Sequence, residues 1–291
     1  MKRTWAKLTD QLIEKALAED IGDGDITTEA TIPPELFSTA FLFSKGFGVL
    51  AGIDVAVKVF YKADSSLKTD VFFRDGEIIT RGQKIAQITG QISSILKAER
   101  TALNFLGRMT GIATQTAEYV QKIQGCHAKI LDTRKTMPTM RHLDKYAVRV
   151  GGGCNHRFGL FDMVLVKDNH IAVAGSIRIA VDRVITLMKK KEKYMKIEVE
   201  CKTYDEVLEA VYTQIDIIML DNMDMAEMRK SVNLIRETNS ETGRNIRIEV
   251  SGNIVLDTVR EVAETGVDYI SIGSLTHSVK NHDFSLLFKE L

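Results

Sequence analysis

The segment from Lys129 to His170 is the richest in residues that could do chemistry. It holds eight Lys and Arg against four Asp, inside a chain whose 39 basic residues balance 39 acidic ones. Cations held close together repel one another unless an anion joins them. A local basic excess in a neutral chain therefore predicts a small ligand with more than one negative group, and it disfavours nucleic acid or a membrane surface as partner.

Three short runs carry the candidate cations of this segment. They are Arg134 with Lys135, His156 with Arg157 after three glycines, and Lys167 ahead of Asp168-Asn169-His170. Arginine suits two-pronged recognition of a carboxylate, whereas lysine acts as a point charge. A lone histidine is more often structural than catalytic, but its place beside Arg157 favours His156 as a member of the site.

Glu200 and Asp221 are the candidate acids, because each ends an apolar run with the character of a strand. Two carboxylates at one mouth have three possible uses: they hold Mg²⁺ through water, bind sugar hydroxyls, or stabilise a developing positive charge. The structural alternative, in which each acid pairs with a neighbouring Arg or Lys, stays open.

Two glycine turns follow the last two predicted strands. Glycine lets the backbone approach an anion closely, and the N–H groups at the start of a helix favour negative charge. These turns predict a phosphate pocket, whose candidates are Ser251, Gly252, Asn253, Ser271 and Gly273.

The elements that must position these side chains alternate between strand and helix from residue 126 onward. Predicted strands cover residues 129–131, 163–166, 197–199, 215–220, 246–250 and 269–272, and predicted helices cover 139–150, 176–191, 203–212, 224–238 and 256–264. This alternation predicts a parallel sheet, either a barrel or an open doubly wound sheet. Because the carboxyl ends of such strands meet at one rim, we expect the polar residues that follow them to form one site.

The first half of the chain has a different predicted pattern of secondary structure. The spacing of apolar residues from Leu8 to Leu17 predicts a helix, and a long helix over residues 93–123 connects the halves. Short strands are predicted over residues 40–43, 48–51, 71–73, 76–79 and 83–90, between turn signals such as Asp75-Gly76.

The bulk composition sets limits on the class of protein. A chain of 291 residues that is 44% hydrophobic can bury one large core or two unequal ones. No apolar run approaches the roughly 18 residues that a membrane helix needs. The three cysteines show no paired spacing, so we expect reduced thiols, a cytoplasmic location, and neither a disulfide nor a zinc site.

The chain closely resembles the quinolinate phosphoribosyltransferase family, also called nicotinate-nucleotide pyrophosphorylase (carboxylating). The matching strings occur in one consistent order over nearly the whole chain: residues 99–104, 132–136, 145–149, 151–160, 167–171, 220–223 and 270–278. The resemblance implies a β-rich, open-faced α+β domain over residues 1–112 and a C-terminal incomplete α/β (TIM-like) barrel over residues 113–279. The tail, about residues 280–291, is a candidate to pack with the first domain.

The activity implied by the resemblance is phosphoribosyl transfer from 5-phosphoribosyl 1-pyrophosphate to quinolinate. The products would be nicotinate mononucleotide, pyrophosphate and CO₂, on the de novo route to NAD. Mg²⁺ would accompany the donor, bound through water by Asp221 with Glu200 as a second candidate ligand, and no organic cofactor is expected.

Residue roles also follow from the resemblance. Quinolinate carboxylates would meet Arg134, His156, Arg157 and Lys167, together with Arg100 from a partner subunit. Lys135 would meet the pyrophosphate, and Glu200 and Asp221 the ribose and Mg²⁺-pyrophosphate. The 5-phosphate would lie at the glycine turns, with His277 as a further contact. A homodimer with shared active sites, or a trimer of dimers, is implied.

Two departures from the family pattern stand out. Asn253 replaces a common second glycine of the phosphate loop, and Thr139-Met140 replace Gly-Leu after Pro138. Asn tolerates positive φ better than most residues, so the first change puts the loop geometry only slightly in doubt.

Two rival interpretations of the sequence are a related enzyme with another acceptor and a non-catalytic carrier module. A relative with the same fold but another acceptor, such as nicotinate phosphoribosyltransferase or the molybdenum-locus paralogues, would not need the full cationic set. A biotinyl or lipoyl carrier module would explain the glycines at 76, 82 and 90, but Lys84 lacks the flanking residues of a modified lysine, and residues 126–291 would have no role.

Overall fold

The computed structural model describes residues 2–289, with side chains from residue 5 onward. In chain order the elements are α1 (Lys2–Ile21), α2 (Ile26–Thr31), β1 (Phe37–Ser44), β2 (Gly48–Val49), α3 (Ile53–Ala63), β3 (Lys68–Val71), β4 (Ile78–Ile79), β5 (Lys84–Gln91), α4 (Ile92–Lys122), β6 (Lys129–Leu131), α5 (Arg141–Val150), β7 (Val164–Val166), α6 (Asp168–Ala174), α7 (Ile177–Lys190), β8 (Ile197–Cys201), α8 (Tyr204–Ala210), β9 (Ile217–Asp221), α9 (Met225–Thr242), β10 (Arg247–Ser251), α10 (Val259–Ala263), β11 (Tyr269–Ser271), α11 (Ser274–His277) and β12 (Phe284–Phe288).

The chain divides into two compact units. The antiparallel unit comprises residues 1–117, 136–152 and 274–291, and the parallel unit comprises residues 118–135 and 153–273. The domain boundaries expected from the sequence stay a prediction. Within residues 2–289, each helix is either too short or too polar to span a bilayer.

A four-stranded sheet with the order β12-β1-β5-β3 organises the antiparallel unit. Every neighbouring pair in this sheet is antiparallel, and the C-terminal strand β12 pairs with β1 from Ala40↔Phe288 to Ser44↔Phe284. The short strands expected in this half are present, with β3 a few residues earlier than predicted. The sequence prediction left α3 unassigned, although its buried residues Ile53, Ala56, Val59 and Phe60 have helical spacing.

The long helix predicted over residues 93–123 is confirmed as α4, and it runs without a break through Gly107 and Gly111. A Cβ at Gly107 would lie 2.7 Å from the His282 carbonyl oxygen, and one at Gly111 would lie 2.3 Å from that of Lys280. The two glycines therefore allow the C-terminal segment to cross the helix in close backbone contact.

The parallel unit is built on a six-stranded sheet with the order β6-β11-β10-β9-β8-β7. All six strands fall within a few residues of their predicted positions, and every neighbouring pair is parallel. Among the described residues, the edge strands β6 and β7 do not pair with each other, so the α/β barrel is not closed. This confirms the incomplete barrel that the family resemblance implies.

Local signals explain where the helices of the parallel unit begin. The side chains of Ser176, Thr203 and Asp224 each accept a hydrogen bond from a backbone N–H of the first turn, at the starts of α7, α8 and α9. Strands β8, β9 and β10 are almost entirely buried, as expected for parallel strands covered on both faces.

Candidate active site

The carboxyl ends of neighbouring strands lie side by side in the parallel unit. Ser251 at the end of β10 is in register with Ser271 of β11 on one side and with Asp221 of β9 on the other. Glu200 of β8 is in register with Met219, two residues before Asp221. Strand register therefore brings three predicted site residues to neighbouring strand ends and places Glu200 slightly deeper.

Glu200 and Lys167 form an ion pair in this structure, through Glu200 Oε2 and Lys167 Nζ. Glu200 is only 7% exposed, whereas the lysine side chain is 43% exposed. The alternative that a candidate acid pairs with a neighbouring lysine therefore holds for Glu200. A second pair, Lys202 with Asp168 at 2.6 Å, also joins the β7 and β8 ends but is more exposed.

Arg157 is half-buried, and its surroundings identify it as a neighbour of Arg134. Burial, and then the positive charge of Arg134, lower the pKa of the Arg157 guanidinium, while Glu198, Asp162 and Glu200 act in the opposite direction. Its Nη1 donates to the Met163 carbonyl at 3.2 Å, whereas its Nε is buried without a hydrogen-bond partner. A buried donor left unsatisfied is costly, so an anionic ligand that accepted from it would be stabilised.

Asp132, the residue after β6, organises the segment that carries His156. The fully buried Asp132 carboxylate accepts from the His156 backbone N–H at 2.9 Å and from Asn155 Nδ2 at 2.6 Å. A backbone bridge between Leu131 and Cys154 supports the same geometry. His156 and Arg157 are therefore fixed against the end of β6. Arg134 follows shortly after that strand end in the sequence.

The His156 ring faces into the parallel unit, toward two acids that the sequence analysis did not select. Its Nε2 lies 3.0 Å from Glu198 Oε2 and 3.6 Å from Glu249 Oε1. Burial raises the pKa of Glu198 to about 7. Burial and the neighbouring Glu198 charge raise the pKa of Glu249 well above its usual value.

A sequence signal for these two acids exists. Glu198 and Glu200 alternate with apolar residues in Ile197–Cys201, and Glu249 lies between Ile248 and Val250. A charged residue inside a buried strand needs a partner, and this could have marked both positions.

The first glycine turn has a geometry that glycine and asparagine make possible. Gly252 has a φ of 99°, and a Cβ there would lie 2.2 Å from Asn222 Oδ1. Asn253 also has a positive φ, 52°, and its Nδ2 donates to the same Asn222 oxygen at 3.0 Å. The departure at residue 253 is thus accommodated, and Asn222 links the β9 and β10 ends.

The remaining predicted residues are placed as follows. Lys135 is exposed, and its backbone N–H donates to Thr133 Oγ1 at 3.0 Å. The Ser271 hydroxyl donates to Glu249 Oε1 at 2.5 Å, and Gly273 lies two residues after the end of β11. Arg100 on α4 and His277 on α11 belong to the antiparallel unit, so their roles stay predictions.

Acidic oxygens suited to Mg²⁺ are present at Asp221 and Glu200, since hard cations prefer carboxylate ligands. Asp221 at the strand end fits this use. Glu200 Oε2 already contacts Lys167, so Glu200 fits less directly. Within the described part of the chain, the His and acidic side chains that converge in a group of three are His156, Glu198 and Glu249.

Comparison with known proteins identifies both halves. The family model "Quinolinate phosphoribosyl transferase, N-terminal domain" matches residues 25–110, and the corresponding C-terminal domain model matches residues 112–287. Quinolinate phosphoribosyltransferase (decarboxylating) 1 of Nicotiana glauca is 43% identical over 284 residues, covering 94% of this chain and 81% of that protein. The chloroplastic nicotinate-nucleotide pyrophosphorylase (carboxylating) of Arabidopsis thaliana is also 43% identical, over 291 residues with the same coverage.

Solved structures agree with the sequence comparison. The crystal structure of NadC from Streptococcus pyogenes superposes with a TM-score of 0.87 at 39% identity and covers 97% of both chains. The nicotinate-nucleotide pyrophosphorylase structure from Francisella tularensis gives 0.89 at 37% identity, covering 97% of this chain and 96% of that one. The chain therefore belongs to the quinolinate phosphoribosyltransferase family.

Proposed function

We propose that this chain transfers the phosphoribosyl group of 5-phosphoribosyl 1-pyrophosphate to quinolinate and releases pyrophosphate and CO₂. The product would be nicotinate mononucleotide, for NAD synthesis. The observation that carries the proposal is the cluster of Arg134, Arg157 and Lys167 around the carboxyl ends of a parallel sheet that also presents Glu200 and Asp221. A diacid and a phosphorylated sugar together match that distribution of charge.

The cations of the site serve chiefly to bind and orient the acceptor. Arg157 has one guanidinium N–H without a protein partner, and Arg134 lies close enough to depress its pKa. Lys167 would exchange part of its contact with Glu200 for a quinolinate carboxylate. Arg100 of a partner subunit completes the predicted set of cations, and His156 contributes to the site beside Arg157.

The acids and the glycine turns would hold the donor. Asp221 and Glu200 would contact the ribose and stabilise positive charge at its anomeric carbon as pyrophosphate departs. Ser251, Gly252, Asn253, Ser271 and Gly273 are proposed for the 5-phosphate, with His277 beyond them, and Lys135 for the pyrophosphate. Mg²⁺ held through water at Asp221, with Glu200 as the second candidate, would neutralise the pyrophosphate charge.

The proposed reaction needs little covalent catalysis from these residues. The pyridine nitrogen forms a bond to the anomeric carbon while the bond to pyrophosphate breaks, so alignment of the two substrates supplies most of the acceleration. The carboxylate at ring carbon 2 then leaves as CO₂. The electron pair left behind is stabilised by the quaternised ring nitrogen, and a solvent proton replaces the carboxylate. We therefore assign no dedicated general base and no organic cofactor.

We also propose a homodimer with shared sites, or a trimer of dimers, and a cytoplasmic location. The first follows from the role proposed for Arg100 in a partner's site. The second rests on the three cysteines, whose number and spacing are not those of a disulfide framework. Neither a nucleic acid nor a membrane is proposed as partner, because the chain has no net charge and its basic residues concentrate locally.

An assay with quinolinate labelled in its 2-carboxylate tests the activity. With the donor and Mg²⁺, the purified chain should release labelled CO₂ and form nicotinate mononucleotide in equal amounts. Omission of the donor is the control for spontaneous decarboxylation. Product formed without CO₂, or no product at all, would contradict the proposal.

A further inference from the structure

Both ring nitrogens of His156 are engaged by the protein itself. The Arg157 backbone N–H donates to His156 Nδ1 at 2.8 Å, so Nδ1 acts as an acceptor. The ring proton then lies on Nε2, which faces Glu198 Oε2 at 3.0 Å. In this state the ring is a neutral imidazole with the proton on Nε2. A ring held in this way has no spare N–H for a substrate carboxylate.

The acids below the ring form a buried pair. Glu198 and Glu249 are 0% and 1% exposed, and a hydrogen bond joins the two carboxyls. Two carboxylates cannot hydrogen-bond to each other without a proton, and two like charges at this depth would be costly. Glu249, which has the more strongly raised pKa, is the better holder of that proton. Ser271 donates to Glu249 Oε1, whereas Glu249 Oε2 has no hydrogen-bond partner.

A cation held by His156, Glu198 and Glu249 would be the alternative use of this cluster, because their ligand atoms lie within 4.8 Å of one another. A metal at Nε2 would take the lone pair of that nitrogen and move the ring proton to Nδ1. The Arg157 N–H already points at Nδ1. The observed contact therefore favours a proton-containing network over a metal ion.

We propose that Glu198 and Glu249 are positioning residues, which hold the His156 ring in the orientation that receives the Arg157 backbone N–H and thereby place Arg157 for the substrate. His156 then acts through Arg157 and does not itself supply a counter-charge. The backbone on the other side is fixed by Asp132, which accepts the His156 N–H. The identity of the substrate in this inference rests on the proposed function. The arrangement of the His156 ring rests only on the contacts described above.

The arrangement changes how charge is divided in the site. A neutral His156 leaves Arg134, Arg157 and Lys167 as the cations of the parallel unit that face a diacid. The buried pair adds one negative charge, on Glu198, which attracts the Arg157 guanidinium. The Glu198 carboxylate thus attracts the Arg157 guanidinium, and the neutral His156 ring accepts from the Arg157 backbone N–H, while Arg157 Nε has no hydrogen-bond partner.

The first test examines the ring without any substrate. Ring ¹⁵N chemical shifts of His156 in the unsubstituted, ligand-free chain, assigned by their loss in His156→Gln, should report a neutral imidazole with the proton on Nε2. A proton on Nδ1, an imidazolium, or a divalent cation that copurifies in stoichiometric amount and is lost in Glu249→Leu would each overturn the proposal.

The second test separates positioning from charge by comparing Glu249→Gln with Glu249→Leu. The amide NH2 can take the place of Oε1 and donate one hydrogen to Glu198 and the other to the Ser271 hydroxyl, so Glu249→Gln should keep kcat and both KM values within about threefold. Leucine removes both contacts and with them the group that holds Glu198 against the His156 ring, so KM for quinolinate should rise about tenfold or more, as for a displaced charged contact. KM for the phosphoribosyl donor should change less than about threefold in both variants.

Each kinetic outcome has a consequence. Equal losses in both variants would mean that an ionised Glu249 is required, and unchanged kinetics in both would mean that the pair does not position Arg157; either overturns the proposal. If Glu249→Leu does not fold, the ¹⁵N measurement on the unsubstituted chain still decides. If the unsubstituted chain does not use quinolinate, the proposed function fails while the ring measurement remains a separate result.

Discussion

Replacement of Lys167 by alanine probes the cation of the site whose structural context is best defined. The Lys167 side chain is 43% exposed and pairs with Glu200, which is 7% exposed. Loss of a hydrogen bond that involves a charged group costs about 1.5–3 kcal/mol, which corresponds to roughly 10- to 150-fold in KM. Because Glu200 already neutralises part of the lysine charge, we expect the lower part of this range, about 10- to 30-fold, for quinolinate.

The effect on folding should be moderate. Lys167 is half-exposed but Glu200 is buried, so loss of the pair should cost more than loss of a surface pair, about 1 kcal/mol, and less than loss of a fully buried one, about 3–5 kcal/mol. The unfolding midpoint should therefore fall by several degrees. Steady-state kinetics with each substrate varied in turn measures the change in KM, and calorimetry checks the stability.

Lys202→Ala is the matched control for this substitution. Lys202 also pairs with an acid across the β7 and β8 ends, but both side chains of its pair with Asp168 are 48% exposed. We expect Lys202→Ala to change KM for quinolinate by less than about threefold. Equal effects of the two substitutions, or a KM for quinolinate that Lys167→Ala leaves within twofold, would refute the role assigned to Lys167.

Three further substitutions test other parts of the account. Asp221→Ala should lower kcat or weaken donor binding in a manner that depends on Mg²⁺ concentration, since hard cations prefer carboxylate ligands; donor kinetics unchanged across a Mg²⁺ titration would contradict this. Mixed dimers of Arg100→Ala and Glu200→Ala subunits should regain activity if sites are shared, whereas verified heterodimers without activity would count against sharing. Thr139→Gly should stabilise the chain by about 0.5–1 kcal/mol in urea unfolding, because Thr139 has a φ of 67°, a conformation that costs a β-branched residue more than it costs glycine; a destabilised variant would contradict this reasoning.

The parallel strands were predictable because each is a short apolar run that ends in polar residues. Six such runs separated by helical segments leave few architectures, and parallel strands bring their carboxyl ends to one side. The antiparallel unit was harder to predict from sequence. Helix α3 went unassigned between strand-like segments, and β12 pairs with β1 across more than 230 residues of sequence, a contact that no local pattern encodes.

The sequence indicated which cationic residues belong to the site, but it did not indicate which acid each of them pairs with. The types and order of Arg134, Arg157 and Lys167 indicated a cationic site. Which acid each cation meets depends on the register of β7, β8 and β10, and that register is fixed by long-range packing. The position of His156 between the Arg157 amide and two buried acids likewise depends on long-range packing.

Thr139 illustrates a third limit of sequence reasoning. A threonine gives no sign that its backbone is left-handed, because positive φ is uncommon for β-branched residues. The glycine that the family has at this position was the one available sign of the conformation that the structure contains, and it was not read as such.

The most direct test of the central claim is the ratio of kcat/KM for quinolinate to that for nicotinate, measured side by side with the same donor and Mg²⁺. Nicotinate lacks the 2-carboxylate, so the cations that would meet it lose their partner, at a cost of about 1.5–3 kcal/mol for each charged contact. Two such contacts predict a ratio of at least about 100-fold in favour of quinolinate. A ratio near one, or a preference for nicotinate, would contradict the account.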